Sequence, residues 1–186
     1  MKQMVTQGRS GVPAIIEEDA RQFLTFQVAG DRYAIGILDV KEIIEVGQMT
    51  RVPMTPDFIR GVINLRGNVV PVIDLGARLS KGSSELGKRS SIVLVEVSAH
   101  HDQQLIGMLV DEVNEILEIP ASHMQPAPDF GTDIRTDFIQ AMGRVNDSFM
   151  ILLNIEHVLS VEELSRVRGA GELGGNPPAL LERPRA

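Results

Sequence analysis

Short apolar runs separated by turn residues fill the middle of this 186-residue chain. Four pairs of runs predict β-hairpins, because their members alternate or are β-branched and polar turn residues join each pair. The pairs are 23–29 with 33–37, 62–65 with 69–75, 91–97 with 105–110, and 139–145 with 149–153. Strands this short, with turns this frequent, predict an all-β fold of small barrels rather than parallel βαβ layers.

Other segments give weaker signals. Short helices are expected over 74–79 and 154–164, each opening on an Asp or Asn residue that caps the first turn. The run 40–46 fits either a helical turn or a strand, and its period does not separate them. Pro71 cannot donate to a sheet ladder, so its strand is expected to be an edge strand or to carry a bulge there.

The two halves of the chain are similar in sequence. The matching segments are 35–38 with 106–109, 40–46 with 113–119, 55–58 with 127–130, 61–62 with 143–145, and 72–75 with 152–155. A long repeat used twice indicates two similar lobes rather than a solenoid, which needs three or more units. We expect one domain over 21–165.

Within that domain, lobe one is expected over roughly 21–85 and lobe two over roughly 90–165, with strand exchange between them. Residues 1–20 form a lead without periodicity. The tail, 166–186, is rich in Gly, Pro and Arg, a composition typical of disorder. The apolar segment 179–181 within it could serve as a short docking motif.

Composition excludes several classes of protein. A net charge of -7, no Trp and a single Tyr disfavour nucleic-acid binding, which needs a basic face or stacking rings. The absence of Cys removes disulfides and thiolate ligands. Apolar runs stay well short of the roughly 20 residues of a membrane span. We therefore expect a soluble, cytoplasmic protein without direct membrane insertion.

The sequence offers little catalytic chemistry. A Gly-rich phosphate loop, a nucleophile elbow and a His-Glu-x-x-His motif are all missing. His100 and His101 fall in a predicted turn, and no third metal ligand can be placed beside them. The carboxylate pairs 42/45 and 115/118 recur in both halves, which favours a structural or interaction role over acid–base catalysis. We expect no catalytic residues, no cofactor and no metal.

The segment 64–68, Asn-Leu-Arg-Gly-Asn, is a polar corner between two β-rich runs. Gly67 and Asn68 tolerate positive φ and suit a tight turn. Arg66 is the only charged residue in the corner, so its guanidinium must reach solvent, a carboxylate or a partner. An exposed strand edge beside this arginine would make a docking surface.

Nine motifs together resemble the CheW-like family of chemotaxis adaptors. They are Phe23–Phe26, Tyr33–Ile37, Val40–Ile43, Thr50–Pro53, Thr55–Gly61, Asn64–Gly67, Val70–Asp74, Ile106–Asp111 and Met150–Asn154. The resemblance implies two five-stranded SH3-like barrels packed together, with a groove between them. It implies an adaptor without catalytic activity. Its partners would be the cytoplasmic tip of methyl-accepting chemoreceptors and the regulatory domain of a CheA-type histidine kinase.

The resemblance also implies site residues. Glu42 and Arg66 match family positions that lie close together as an ion pair. The receptor-groove positions are Val40, Glu42, Ile43, Gly61 and Val113, and the kinase or receptor interface corner comprises Asn64, Arg66 and Gly67. The apolar members could equally be core residues. A side chain at Gly61 would intrude on any close approach.

Alternative functions remain compatible with the sequence. The protein could serve a chemosensory system that controls pilus motility or another output. It could be an excised kinase regulatory domain, although the lead, the tail and the lack of histidine-kinase motifs favour a complete small protein. A small ligand-binding or enzymatic β-barrel is disfavoured by the missing polar constellation.

Overall fold

The computed structural model describes residues 20–99, 101–128 and 137–160. Within these ranges the chain forms eleven strands: β1 Ala20–Val28, β2 Asp31–Gly36, β3 Val40–Glu45, β4 Ile59–Leu65, β5 Asn68–Asp74, β6 Ser91–Ala99, β7 Asp102–Val110, β8 Glu112–Pro120, β9 Met124–Gln125, β10 Ile139–Val145 and β11 Ser148–Leu153. One-turn helices follow β5 (α1, Leu75–Arg78) and β11 (α2, Ile155–Val158). His100, the predicted tail and the lead up to residue 19 lie outside the described residues.

The strands form two sheets, and the all-β prediction is confirmed. The five-stranded lobe has the order β3-β6-β7-β5-β4, and the six-stranded lobe has the order β8-β1-β2-β11-β10-β9. All four predicted hairpins are present. The sheets do not follow the halves of the chain: hairpin β1–β2 lies beside strands from the second half, and hairpin β6–β7 lies beside strands from the first half.

Each sheet closes into a small barrel by the same device. After β8 the chain passes through a 3-10 turn, Ala121–His123, into β9, which pairs with β10 near the opposite edge. After β3 the chain reaches Thr50, whose backbone exchanges hydrogen bonds of 2.9 and 2.8 Å with Val62 of β4. In each sheet, the chain that follows one edge strand pairs with a strand near the opposite edge. Each sheet therefore curls toward closure instead of staying flat.

Within the described residues, buried side chains form three clusters, one in each lobe and one, the shared cluster, between the lobes. On β6, Ile92 and Leu94 pack inside the five-stranded lobe, whereas Val93, Val95 and Val97 enter the shared cluster. Alternate residues on a strand face opposite ways, so both faces of β6 are buried. This double burial explains why the central strands are continuous apolar runs rather than alternating ones.

Within the undecided segment 40–46, residues Val40–Glu45 form strand β3, which pairs with β6. Pro71 differs from expectation. Its strand β5 lies between β4 and β7 rather than at an edge, and the bulge of this hairpin lies on β4 between Ile59 and Gly61. Pairing of β5 with β7 begins at Val72, one residue after the proline, so the missing N–H is tolerated in an interior strand.

Both predicted helix caps are confirmed. The side chain of Asp74 accepts a hydrogen bond from the backbone N–H of Ala77, and that of Asn154 accepts one from the N–H of His157. The second helix ends at Val158, so the expected continuation through residue 160 is wrong, and residues 161–164 lie outside the described residues.

The structure shifts the register of the repeat. The two hairpins match when β4 is aligned with β10 residue by residue, because both ladders have a bulge after their first residue. Gly61 is then equivalent to Ala141 rather than to Gly143. Phe58 is equivalent to Phe138, because their carbonyl groups accept matching hydrogen bonds. The backbone N–H of the N-cap Asp74 donates to Phe58 at 2.7 Å, and that of the N-cap Asn154 donates to Phe138 at 2.8 Å. The earlier match to Phe130 falls on a residue outside the described ranges.

Candidate functional site

The polar corner is a two-residue turn between β4 and β5. Arg66 and Gly67 take positive φ values of 51° and 90°, as hairpin turns of this length require. The side-chain oxygen of Asn64 accepts a hydrogen bond of 2.7 Å from the N–H of Gly67, which fixes the turn. The expectation that Asn68 takes positive φ is wrong, because Asn68 begins β5 and the left-handed residue is Arg66.

Arg66 makes an ion pair that joins the two edges of the five-stranded lobe. Its Nη2 lies 2.9 Å from Oε1 of Glu42, although β3 and β4 are at opposite ends of the strand order. The pairing expected from the family resemblance is therefore present. The hydrogen bond lowers the pKa of Glu42 below its ordinary value and raises that of Arg66. The guanidinium stays accessible, since the Arg66 side chain is 70% exposed.

The other predicted site residues lie in three settings. Val40 and Val113 are half-buried and pack against the shared cluster. They belong to different lobes, since Val40 lies on β3 and Val113 on β8. Ile43 is 44% exposed on β3. Gly61 is buried beneath the backbone of Thr50, so the close approach at this glycine is made by the protein's own chain.

The sequence indicated Asp74 as a helix cap and missed its larger role. The side chain is 1% exposed. Its Oδ2 accepts hydrogen bonds from Arg60 Nη1 at 3.0 Å and Ser84 N at 2.8 Å, and its Oδ1 accepts one from Ser84 Oγ at 2.7 Å. Arg60 also donates to the carbonyl of Ser84 at 2.8 Å. This network ties the loop after α1 to β4, and its buried carboxylate is used for structure.

The described residues provide no group of three or more His, Cys, Asp or Glu side chains that could hold a metal ion. His101 is exposed in the β6–β7 turn, and its neighbour His100 lies outside the described ranges. No helix in the described part of the chain is long and apolar enough to cross a membrane.

Two packed small barrels with an exposed, braced corner define an interaction module, and comparison with known proteins gives its family. Residues 22–163 match the CheW-like domain. The chain is 34% identical to the chemotaxis protein CheW of Klebsiella aerogenes over 151 residues, covering 81% of this chain and 89% of that protein. It is 31% identical to protein FrzA of Myxococcus xanthus over 142 residues, covering 75% and 85%.

A solved structure gives the same result. The crystal structure of the scaffolding protein TtCheW from Thermoanaerobacter tengcongensis aligns with a TM-score of 0.67 and 33% identity, covering 76% of this chain and 88% of that one. The chain belongs to the CheW-like family. It is a non-catalytic adaptor of chemotaxis signal transduction, with the SH3-like barrel lobes of that family.

Proposed function

We propose that this protein couples methyl-accepting chemoreceptors to a CheA-type histidine kinase. It would bind the cytoplasmic receptor tip and the kinase regulatory domain through separate surfaces, in the cytoplasm, recruited to membrane-associated receptor arrays. The similarity to chemotaxis CheW proteins over most of the chain supports this assignment. We also propose that 21–165 acts as one adaptor domain.

The observation that carries the proposal is the construction of the Arg66 corner. Arg66 has a left-handed backbone conformation. In the equivalent turn of the other lobe the residue with this conformation is Asn146, a residue type that tolerates it better. Glu42 and Asn64 hold Arg66 in place, yet most of its side chain faces solvent. Backbone strain retained at an exposed, braced charge favours a role in recognition.

The groove that the family resemblance implies between the two lobes would bind the receptor. Val40 and Val113 come from different lobes and are half-buried at the margin of the shared cluster. Ile43 adds exposed apolar surface on β3. A helical receptor tip can lay apolar side chains on such a surface, as in helix-in-groove recognition. Two binding surfaces on one small body would then make the protein a bridge without chemistry of its own.

A second candidate is an adaptor for a different chemosensory output, such as pilus motility. The 31% identity to protein FrzA of Myxococcus xanthus supports it. The same surfaces would serve either system, so the two candidates differ in the identity of the receptors and kinase. Recruitment by one receptor–kinase set and not by another distinguishes them.

Co-sedimentation with receptor-bearing membranes and the histidine kinase of the same organism tests the proposal. We expect wild-type protein to be recruited and to place kinase phosphorylation under receptor control. Arg66→Glu should weaken both effects while the thermal midpoint stays within a few degrees, because Arg66 is largely exposed. Arg32→Glu is the control, since Arg32 is an exposed arginine whose ion-pair partner, Glu115, lies in the same six-stranded lobe.

The double variant Glu42→Arg with Arg66→Glu separates two roles of the corner. Recovery of binding would mean that the ion pair orients the turn, whereas continued loss would mean that the partner contacts the charge of Arg66 or of Glu42. Full recruitment of Arg66→Glu would contradict the assignment of the corner. Failure of folded wild-type protein to be recruited would contradict the assigned partners.

A further inference from the structure

Arg78 stands at the junction of the two lobes. It ends α1 in the five-stranded lobe, and its guanidinium carbon lies 4.9 Å from the ring centroid of Phe58 and 4.8 Å from that of Phe138. Phe58 precedes β4, whereas Phe138 precedes β10 of the six-stranded lobe. Arg78 Nε also donates a hydrogen bond of 2.7 Å to the carbonyl of Val158 in α2. The side chain therefore contacts both lobes at once.

The repeat makes this junction asymmetric. Phe58 and Phe138 are equivalent residues, and Arg78 is equivalent to Val158, whose side chain is fully buried. A guanidinium from one lobe thus lies over matching rings from both lobes. An arginine at residue 158 as well would bring two like charges to the same place, which is unfavourable.

The contacts of Arg78 are partly shielded from solvent. Arginine over an aromatic ring gains most when the pair is desolvated, and Phe138 is only 7% exposed. The Val158 carbonyl belongs to the last turn of α2, where backbone acceptors lack partners within the helix. Arginine suits both tasks, because its planar group stacks on rings while its N–H groups donate in fixed directions.

Ion pairs also cross the junction nearer the surface. Lys81 Nζ lies 2.6 Å from Asp31 Oδ2, and Arg89 Nη1 lies 2.9 Å from Glu112 Oε2. In each pair one side chain is well exposed, 60% for Asp31 and 77% for Arg89. Such pairs are screened by salt, whereas the contacts of Arg78, a half-buried side chain, are screened less.

We propose that Arg78 is a positioning residue that holds the two lobes in one relative orientation. Val40 and Val113 come from different lobes, so the receptor groove proposed above would keep a fixed width only while that orientation is fixed. Arg78 would therefore set the affinity for the partner without touching it. The second half of this inference rests on the proposed function, whereas the orientation of the lobes is a property of the free protein.

The free protein gives the first test. The chain has no cysteine, so Asn68→Cys with Ser148→Cys provides a unique pair of spin-label sites at equivalent exposed positions of the two lobes. We expect one narrow distance distribution for the parent and a broader or shifted one for Arg78→Met. The control Arg32→Met, which removes an exposed arginine paired within one lobe, should leave the distribution unchanged.

Arg78→Lys and Phe138→Leu keep the test decisive if Arg78→Met fails to fold. Lysine keeps the charge but loses the planar group and the Nε donor, so a distribution between those of parent and Arg78→Met is expected. Phe138→Leu removes one ring and keeps an apolar side chain. Unchanged distributions in every folded variant at this junction would overturn the inference.

Binding gives the second test. We expect Arg78→Met to weaken co-sedimentation with receptor-bearing membranes about tenfold, with Arg78→Lys in between. A disturbed distance distribution with wild-type binding would overturn the link between orientation and affinity. If wild-type protein does not bind these membranes, the proposed function fails, and the distance measurement still decides the role of Arg78 in the free protein.

Discussion

Gly61 lies directly beneath the carbonyl group of Thr50. A Cβ atom at residue 61 would be 2.5 Å from the Thr50 oxygen and 3.1 Å from its carbonyl carbon. Gly61 also has a φ of 153°, a conformation that L side chains rarely adopt. The crossing of residue 50 over β4 is what closes the five-stranded lobe, so Gly61 makes the barrel closure possible.

Gly61→Ala should therefore destabilise the protein, by at least about 2 kcal/mol, because backbone strain and a clash with main-chain atoms act together. Chemical denaturation measures the change. Gly47→Ala is the control, since nothing lies within 4 Å of a Cβ there and its φ needs no glycine. An unchanged midpoint with lost partner recruitment would mean that Gly61 contacts a partner instead.

The contribution of the Glu42–Arg66 ion pair to stability should depend on pH. The pKa of Glu42 is lowered in the folded protein from an ordinary value of 4.5, first by the hydrogen bond from Arg66. The contribution of the pair is therefore complete above pH 4.5 and is lost as the pH falls through the folded-state pKa. NMR titration should show the pKa of Glu42 below 4.5 in wild type and closer to 4.5 in Arg66→Met.

High salt should reduce the difference between those two titrations, because both side chains are partly exposed and salt screens their attraction. An equal Glu42 pKa in wild type and Arg66→Met at low salt would contradict the ion pair.

Asp74→Asn should destabilise the protein by about 3 kcal/mol, because it leaves the Arg60 guanidinium without a carboxylate partner in a mostly buried site. The other lobe has Gln140 and Asn154 at the equivalent positions. The double variant Arg60→Gln with Asp74→Asn should recover part of the loss, since it removes the unpaired charge. Urea denaturation of Asp74→Asn, Arg60→Gln and the double variant measures this coupling, and strict additivity would contradict it.

Met54→Asn should raise stability by about 1 kcal/mol. Met54 has a φ of 63° and is 94% exposed, so the methionine pays a left-handed backbone cost without burying its side chain. Asparagine tolerates this conformation. Leu38→Asn is the matched control, because Leu38 is 93% exposed and does not have positive φ. A lower thermal midpoint for Met54→Asn than for wild type would contradict this account.

Much of this protein could be predicted from local sequence patterns. Alternation and turn residues located the four hairpins, and Asp74 and Asn154 marked the N-caps of both helices. These features depend on neighbours within a few residues, so the chain encodes them locally. The recurrence of motifs indicated two similar lobes, and their order and spacing indicated the family and hence the adaptor function.

Other features were decided only by contacts between residues distant in sequence. Residues 40–45 became a strand because β6 lay beside them, and Pro71 fitted an interior strand because β7 pairs only beyond it. Gly61 proved to serve barrel closure. The placement of Arg78 between rings of both lobes required the relative packing of the lobes, which arises from long-range burial and leaves no periodic trace in the chain.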